Sequence, residues 1–169
     1  MREIAKEVGI TPMAIYRHYE DKQALIDALV LDGLAAWSKR VAAIPAAAPL
    51  VWLRKIGEAH LEFALRDPRR YEAAFLIPSN KARRYPDDFV AGRSPAGALQ
   101  LALIADLIAN GVLTGGSPIE IMIANAALSQ GLITLYRAGR IAGGEAAFRE
   151  LYRRTTERCM ASFFVEKRG

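Results

Sequence analysis

The sequence predicts an all-α fold, a helix-turn-helix at the N-terminus followed by a larger helical domain, and three observations predict it. No stretch sustains the period-two alternation of a half-buried strand, whereas nearly every long segment fits a helical period. Cap-plus-proline pairs recur at Thr11-Pro12, Asp67-Pro68, Ser94-Pro95 and Ser117-Pro118, each placing a side-chain oxygen at N-cap and a proline where its missing N–H costs nothing. Finally, Gly9 separates two short helical patterns within the first 32 residues, the arrangement of a helix-turn-helix.

Taken in order, Ile4, Ala5 and Val8 mark a first helix that stops at Gly9. A second helix is expected from Pro12 to about Tyr19, with Ala14, Ile15 and His18 on one side. Asp21 caps a third, which continues through Leu25, Leu34 and Trp37 to about Val41, where Pro45 and Pro49 break the helix. Residues 50–66 form the next helix, and Pro68 opens a short one through Phe75 and Leu76. Residues 78–94 mix proline, asparagine, aspartate, glycine and basic residues and are expected as a loop. The helix opening at Pro95 is expected to end at Gly115-Gly116. The next, with a capping box of Ser117 and Glu120, runs to about Ala138. Gly143-Gly144 precedes a last helix from Glu145 to about Glu166, giving about eight in all.

Hydrophobic residues make up 52% of the 169 and charged ones 24%, so the chain has enough apolar surface to bury a core and is not disordered. The net charge of +5 tolerates a polyanionic partner without demanding one. It is unevenly placed: the first 65 residues balance to zero, residues 66–93 carry +3 and residues 137–169 carry +4. Lys81, Arg83, Arg84, Arg153, Arg154 and Arg158 read as solvated faces. Cys159 is the single cysteine, which precludes an intrachain disulfide and suits a reducing compartment. The apolar windows at 96–113 and 119–135 contain Gln100, Asp106 and Asn110, or Glu120, Asn125 and Gln130. Those groups would be costly in lipid, so buried helices are expected, with no membrane partner and a cytoplasmic location.

One run of residues carries a resemblance. Gly9-Ile10-Thr11, Ile15-Tyr16-Arg17-His18-Tyr19, Lys22 and Leu25 resemble the end of the DNA-binding domain of tetracycline-repressor-like (TetR family) regulators. The likeness is close over roughly the first 35 residues. Beyond them it rests on helix count and chain length. The family's DNA-binding domain has three helices, and on this reading the chain begins at the second and lacks the first. Through Lys22, four cations (Arg2, Lys6, Arg17, Lys22) face four acids (Glu3, Glu7, Glu20, Asp21), which is not the basic footprint usual for a DNA reader.

The resemblance implies that Pro12–Tyr19 is a recognition helix lying in the major groove. Thr11, Pro12, Met13 and Arg17 would face base edges or the thymine methyl, with Arg17 able to bond guanine twice. Tyr16, His18 and Lys22 would approach phosphate. A packed helical hairpin that touches no DNA is the plain alternative. Ile123, Ala127, Gly131 and Leu135, with Phe148, Leu151, Tyr152, Thr155 and Cys159, are expected at a four-helix interface between two copies. There, small residues let helices approach closely; an internal helix pair is the alternative. An effector site among the central helices is expected from Trp52, His60, Phe63, Tyr71, Phe75, Leu103, Asp106 and Asn110, which offer aromatic surface with isolated polar groups; a solid core is the alternative.

Enzyme readings find no support. The two histidines, His18 and His60, show no metal-ligand spacing, and no nucleophile elbow, phosphate loop or dinucleotide fingerprint occurs. No catalytic residue, cofactor or metal is therefore assigned. The expected organisation is a partial helix-turn-helix with its linker helix over residues 1–42 and a ligand-binding and dimerisation domain over 43–169. The expected function is a DNA-binding transcriptional regulator. By the resemblance it is a repressor that dimerises on double-stranded operator DNA and is released by a small organic effector. A DNA-silent helical ligand-binding or dimeric interaction module, and an enzyme on a helical scaffold, remain as alternatives.

Overall fold

The computed structural model describes residues 1–114 and 116–165. Gly115 and Glu166, expected at helix ends, lie outside the described residues. Among the described residues the fold is all-α, with nine helices and one isolated antiparallel bridge between Leu113 and Phe164. The chain forms two compact units, Met1–Trp37 with Asp67–Ala82, and Ser38–Arg66 with Arg83–Gly169.

The first unit holds α1 (Arg2–Glu7), α2 (Pro12–Tyr16), most of α3 (Lys22–Ala42) and α5 (Pro68–Phe75). Gly9, at φ +69°, supplies the left-handed residue that turns α1 into α2, and the Ile10 amide donates back to the Ala5 carbonyl at 3.0 Å. Thr11 Oγ1 accepts from the Ala14 amide at 3.2 Å, and Asp21 Oδ1 accepts from the Ala24 amide at 2.7 Å, so these two expected caps form, whereas Asp67, expected to cap α5, makes no side-chain cap bond. The second helix is shorter than expected. It ends at Tyr16, and the His18 and Tyr19 amides both turn onto the Ile15 carbonyl. Gly33 brings α3 against the backbone of α5: a Cβ there would stand 2.6 Å from the Arg70 carbonyl oxygen and 2.8 Å from the Ala74 nitrogen. Arg70 Nε donates to Asp32 Oδ2 at 2.7 Å, and Ser79 Oγ donates to Asp27 Oδ1 at 2.7 Å, fixing the same pair of segments at two further points.

The second unit holds α4 (Pro49–Arg66), α6 (Asp87–Val90), α7 (Pro95–Ala109), α8 (Pro118–Arg137) and α9 (Gly144–Ala161). Here α8 packs against α4, α7 and α9. Its N-terminus is held by Ser117, whose amide donates to Glu120 Oε2 at 2.7 Å. By length and composition α8 could cross a membrane, but Ile121, Met122, Ser129 and Ile133 form a buried face on it. Three expectations are corrected. A helix, α6, interrupts the expected loop at 78–94, because Pro86 and the two aspartates after it start a turn that Asp88 stabilises. Instead of running on to Gly115-Gly116, α7 ends at Ala109, because Gly111 at φ +67° stops it first. The last helix ends at Ala161, and the chain then turns back so that Thr114 N–H donates to the Phe163 carbonyl at 2.7 Å.

Opposite charges fasten α4 to α9. Arg149 bonds Glu62 through Nη1 and Glu145 through Nε at 2.9 Å, and Arg66 stands 3.6 Å from Glu145. Arg149 holds the Glu62 carboxyl below its usual range. One turn further along, Tyr152 Oη donates to the Gly57 carbonyl at 3.0 Å, and burial pushes its pKa up to about 12.

Candidate functional site

The seven residues expected at DNA lie on α2, its flanks and the first residue of α3, and all are exposed. Ile15 supplies the inward side of α2 and is buried, whereas Met13 is 66% and Tyr16 47% exposed. Thr11, Pro12 and Met13 therefore form the outward first turn, with Tyr16, Arg17 and His18 following at its end. Lys22 opens α3 just beyond the Asp21 cap. A short helix with its N-terminal turn outward and both aromatic and cationic groups exposed can meet a groove with its tip and phosphates with its flanks.

The residues expected at an effector site divide. Trp52, His60 and Phe63 lie on the buried face of α4, with the Arg40 guanidinium 4.2 Å from the centre of the Phe63 ring. On α7, Leu103 is half-buried, while Asp106 and Asn110 are exposed. The inward side of α7 is carried by Ile104 and Leu107, and each residue turns the helix by about 100°, which sends Asp106 to solvent. Asn110 Nδ2 there donates to the Asp106 carbonyl at 2.7 Å and closes the helix end. Tyr71 and Phe75 belong to the first unit, their rings 5.1 Å apart, with Trp37 edge-on to Phe75 at 5.8 Å.

Burial lowers the His60 pKa to about 4, because a cation in an apolar interior loses its hydration. The unfolded histidine titrates near 6.5, so the unfolded chain binds the proton first as pH falls. The stability associated with neutral His60 is present above about pH 6.5 and lost as pH drops through about 4, a change of about 3 kcal/mol. Chemical denaturation across this range should show that acid limb in the native chain, and His60→Gln should flatten it. Equal slopes in both would show that His60 does not titrate between them.

The residues expected between two copies also divide. Ile123, Ala127, Gly131 and Leu135 recur every fourth residue along α8 and are all exposed, Ile123 by 37% and Leu135 by 48%. Leu151, Thr155 and Cys159 repeat that spacing on α9 and are half-buried. Phe148 and Tyr152 are instead turned into the core of their own unit. Phe148 is fully buried and stacks on Tyr136 at 4.1 Å between ring centres. Among the described residues no three histidine, cysteine or acidic side chains gather as metal ligands would. The expected residues did not include the ion-pair cluster of Glu62, Arg149 and Glu145, or Gly33 at the α3–α5 contact. Both join elements distant in sequence, so no local spacing announces them.

Residues 53–159 match the family described as "Tetracyclin repressor-like, C-terminal domain", and residues 1–29 match "Bacterial regulatory proteins, tetR family". The chain belongs to the TetR family. It is thus a DNA-binding transcriptional regulator, and α2 falls within the matched N-terminal part. Solved structures share the fold. A protein of unknown function from Rhodococcus sp. RHA1 superposes with a TM-score of 0.68 at 21% identity, covering 97% of this chain and 84% of that one. A crystal structure described as that of "putative regulatory protein SCO4313" gives a TM-score of 0.64 at 23% identity, covering 95% of this chain and 84% of that one. Comparison with curated proteins gives no match.

Proposed function

We propose that this TetR-family chain is a cytoplasmic, homodimeric repressor released from its operator by a small organic effector. Residues 1–42 would read DNA, and residues 43–169 would bind the effector and dimerise. The observation that carries the reading is the outward surface of α2, where Thr11, Pro12, Met13, Tyr16, Arg17 and His18 are exposed together above a buried Ile15. A two-fold dimer would set two such helices into half-sites about 34–36 Å apart, or a multiple of that. The exposed stripe from Ile123 to Leu135 supports the dimer, and Leu151, Thr155 and Cys159 fit the same seam. Trp52, His60 and Phe63, with Leu103, support a largely apolar effector site. Tyr71 and Phe75 are candidates on the first unit, and Asp106 and Asn110 are candidates on the exposed side of α7 in the second. An effector releases DNA only if it binds the DNA-incompetent state more tightly.

Fluorescence anisotropy with the DNA flanking the protein's own gene tests this. Binding should be tight and weaken steeply with salt, and Tyr16→Ala should lower affinity at least about tenfold by removing a phosphate contact and its packing. Equal binding by the native chain and Tyr16→Ala would remove α2 from the interface. A second reading, a DNA-silent dimeric module, draws on one observation: the cations and acids through Lys22 cancel. Absence of binding at low salt would favour it.

A further inference from the structure

Residues 84–93 close upon themselves. The Asp88 carboxylate clasps both ends, accepting from the Arg84 amide at 2.7 Å and from Arg93 Nε at 2.6 Å. The Asp88 amide donates to the Arg84 carbonyl, those of Phe89 and Val90 to Pro86, that of Ala91 to Asp87, that of Gly92 to Phe89 and that of Arg93 to Asp88, at 2.8–3.2 Å. Among the described residues, no hydrogen bond joins this segment to the rest of its unit.

A single side chain anchors it. Phe89 is the buried residue of α6, while Val90 beside it is 75% exposed. Its ring enters an apolar cluster with Ile104, Leu107, Leu113, Ile121 and Met122. Gly97 leaves it room, since a Cβ there would stand 2.6 Å from Phe89 Cε1. From the outer side Tyr85 stacks on the same ring, 3.8 Å between centres and 9° from parallel.

We propose that residues 84–93 are a flap whose Phe89 plugs a cryptic apolar site, and that an uncharged single-ring aromatic molecule occupies that site by displacing the plug. Opening breaks no hydrogen bond to the rest of the unit; what it loses is burial, chiefly that of the Phe89 ring. A ligand of the same size restores that burial within the same wall of isoleucine, leucine and methionine. The wall offers no charged partner, so the ligand class is neutral and apolar. Asp88 is a positioning residue, because it holds the flap in the shape that presents Phe89 inward. None of the residues that line it is among the effector residues proposed above, and it does not depend on DNA binding.

Toluene titrated into the full chain, with methyl-labelled isoleucine and methionine observed by NMR, tests the proposal. The expected result is contact between toluene and the methyl groups of Ile104, Ile121 and Met122, with the Phe89 ring signals moving to solvent-exposed positions. Asp88→Asn weakens the clasp and populates the open flap, so apparent affinity should tighten by about tenfold, in proportion to the open fraction. Arg93→Gln, which removes the other half of the clasp, should do the same and replaces Asp88→Asn if that variant does not fold. Toluene failing to reach these methyl groups at saturation, reaching them with Phe89 unmoved, or binding both proteins equally would each overturn the proposal. Operator binding plays no part in the readout, so its failure would be visible separately.

Discussion

Replacing Gly131 by tryptophan is expected to convert the proposed dimer into monomers, raising its dissociation constant by about 30- to 160-fold. Nothing stands within 4 Å of the point where a Cβ would sit on Gly131, and the residue is exposed midway along the stripe of Ile123, Ala127 and Leu135. Within one copy the indole therefore points into open space, and α8 gains a better helix former than glycine. Between two copies it would fill the space that close helix approach requires, and overpacking at one contact is enough to give a loss of about 2–3 kcal/mol. Sedimentation equilibrium should show monomers, with unchanged helical circular dichroism. Dimers of native affinity in Gly131→Trp would place the seam on another face.

Phe148→Ala should have the largest effect on stability, a loss of about 3–5 kcal/mol. Phe148 is fully buried, stacked on Tyr136 and edge-on to Tyr152 with ring centres 6.1 Å apart. Truncation would leave a cavity lined by two rings that cannot both close over it. For a chain of this size the transition temperature would fall by about 10 °C. The loss should not depend on protein concentration, whereas the effect of removing a contact between copies would. A loss below about 1 kcal/mol, or one that vanishes at high concentration, would contradict the burial of Phe148 within its own unit.

The fold was legible in the sequence wherever short-range chemistry decides it. Thr11 and Asp21 cap the helices that their spacing announces, and Gly9 turns the chain where a left-handed residue is needed. Where two stop signals competed, the sequence misled: Asn110-Gly111 ended α7 before Gly115-Gly116 could. The helix α6 was hidden because its stability comes from Asp88 reaching Arg93, a partner outside the usual helical spacing. Periodicity identified the apolar stripe of α9 but not what covers it. Phe148 and Tyr152 face their own core, while Leu151, Thr155 and Cys159 are only half-covered. Asp106 and Asn110 stand in the sequence beside the apolar face of α7, and one helix step of rotation leaves both exposed. The surface of α2 was readable because its exposed residues are consecutive along the chain.

Gly33 gives the first unit a rotational index. Around the circumference of α3, the side without a Cβ is what fits against the Arg70 carbonyl and the Ala74 amide. The carboxylates of Asp32 and Asp27 lock that setting on either side. Everything N-terminal to Gly33, including the exposed tip of α2, inherits its angular setting from this contact. One residue inserted between Lys22 and Gly33 would swing the tip by about 100° and advance it by about 1.5 Å, and a seven-residue insertion would return it to within about 20° of its starting azimuth but about 10 Å farther along. The bearing of that exposed tip is thus counted in residues along α3, with Gly33 as the zero mark.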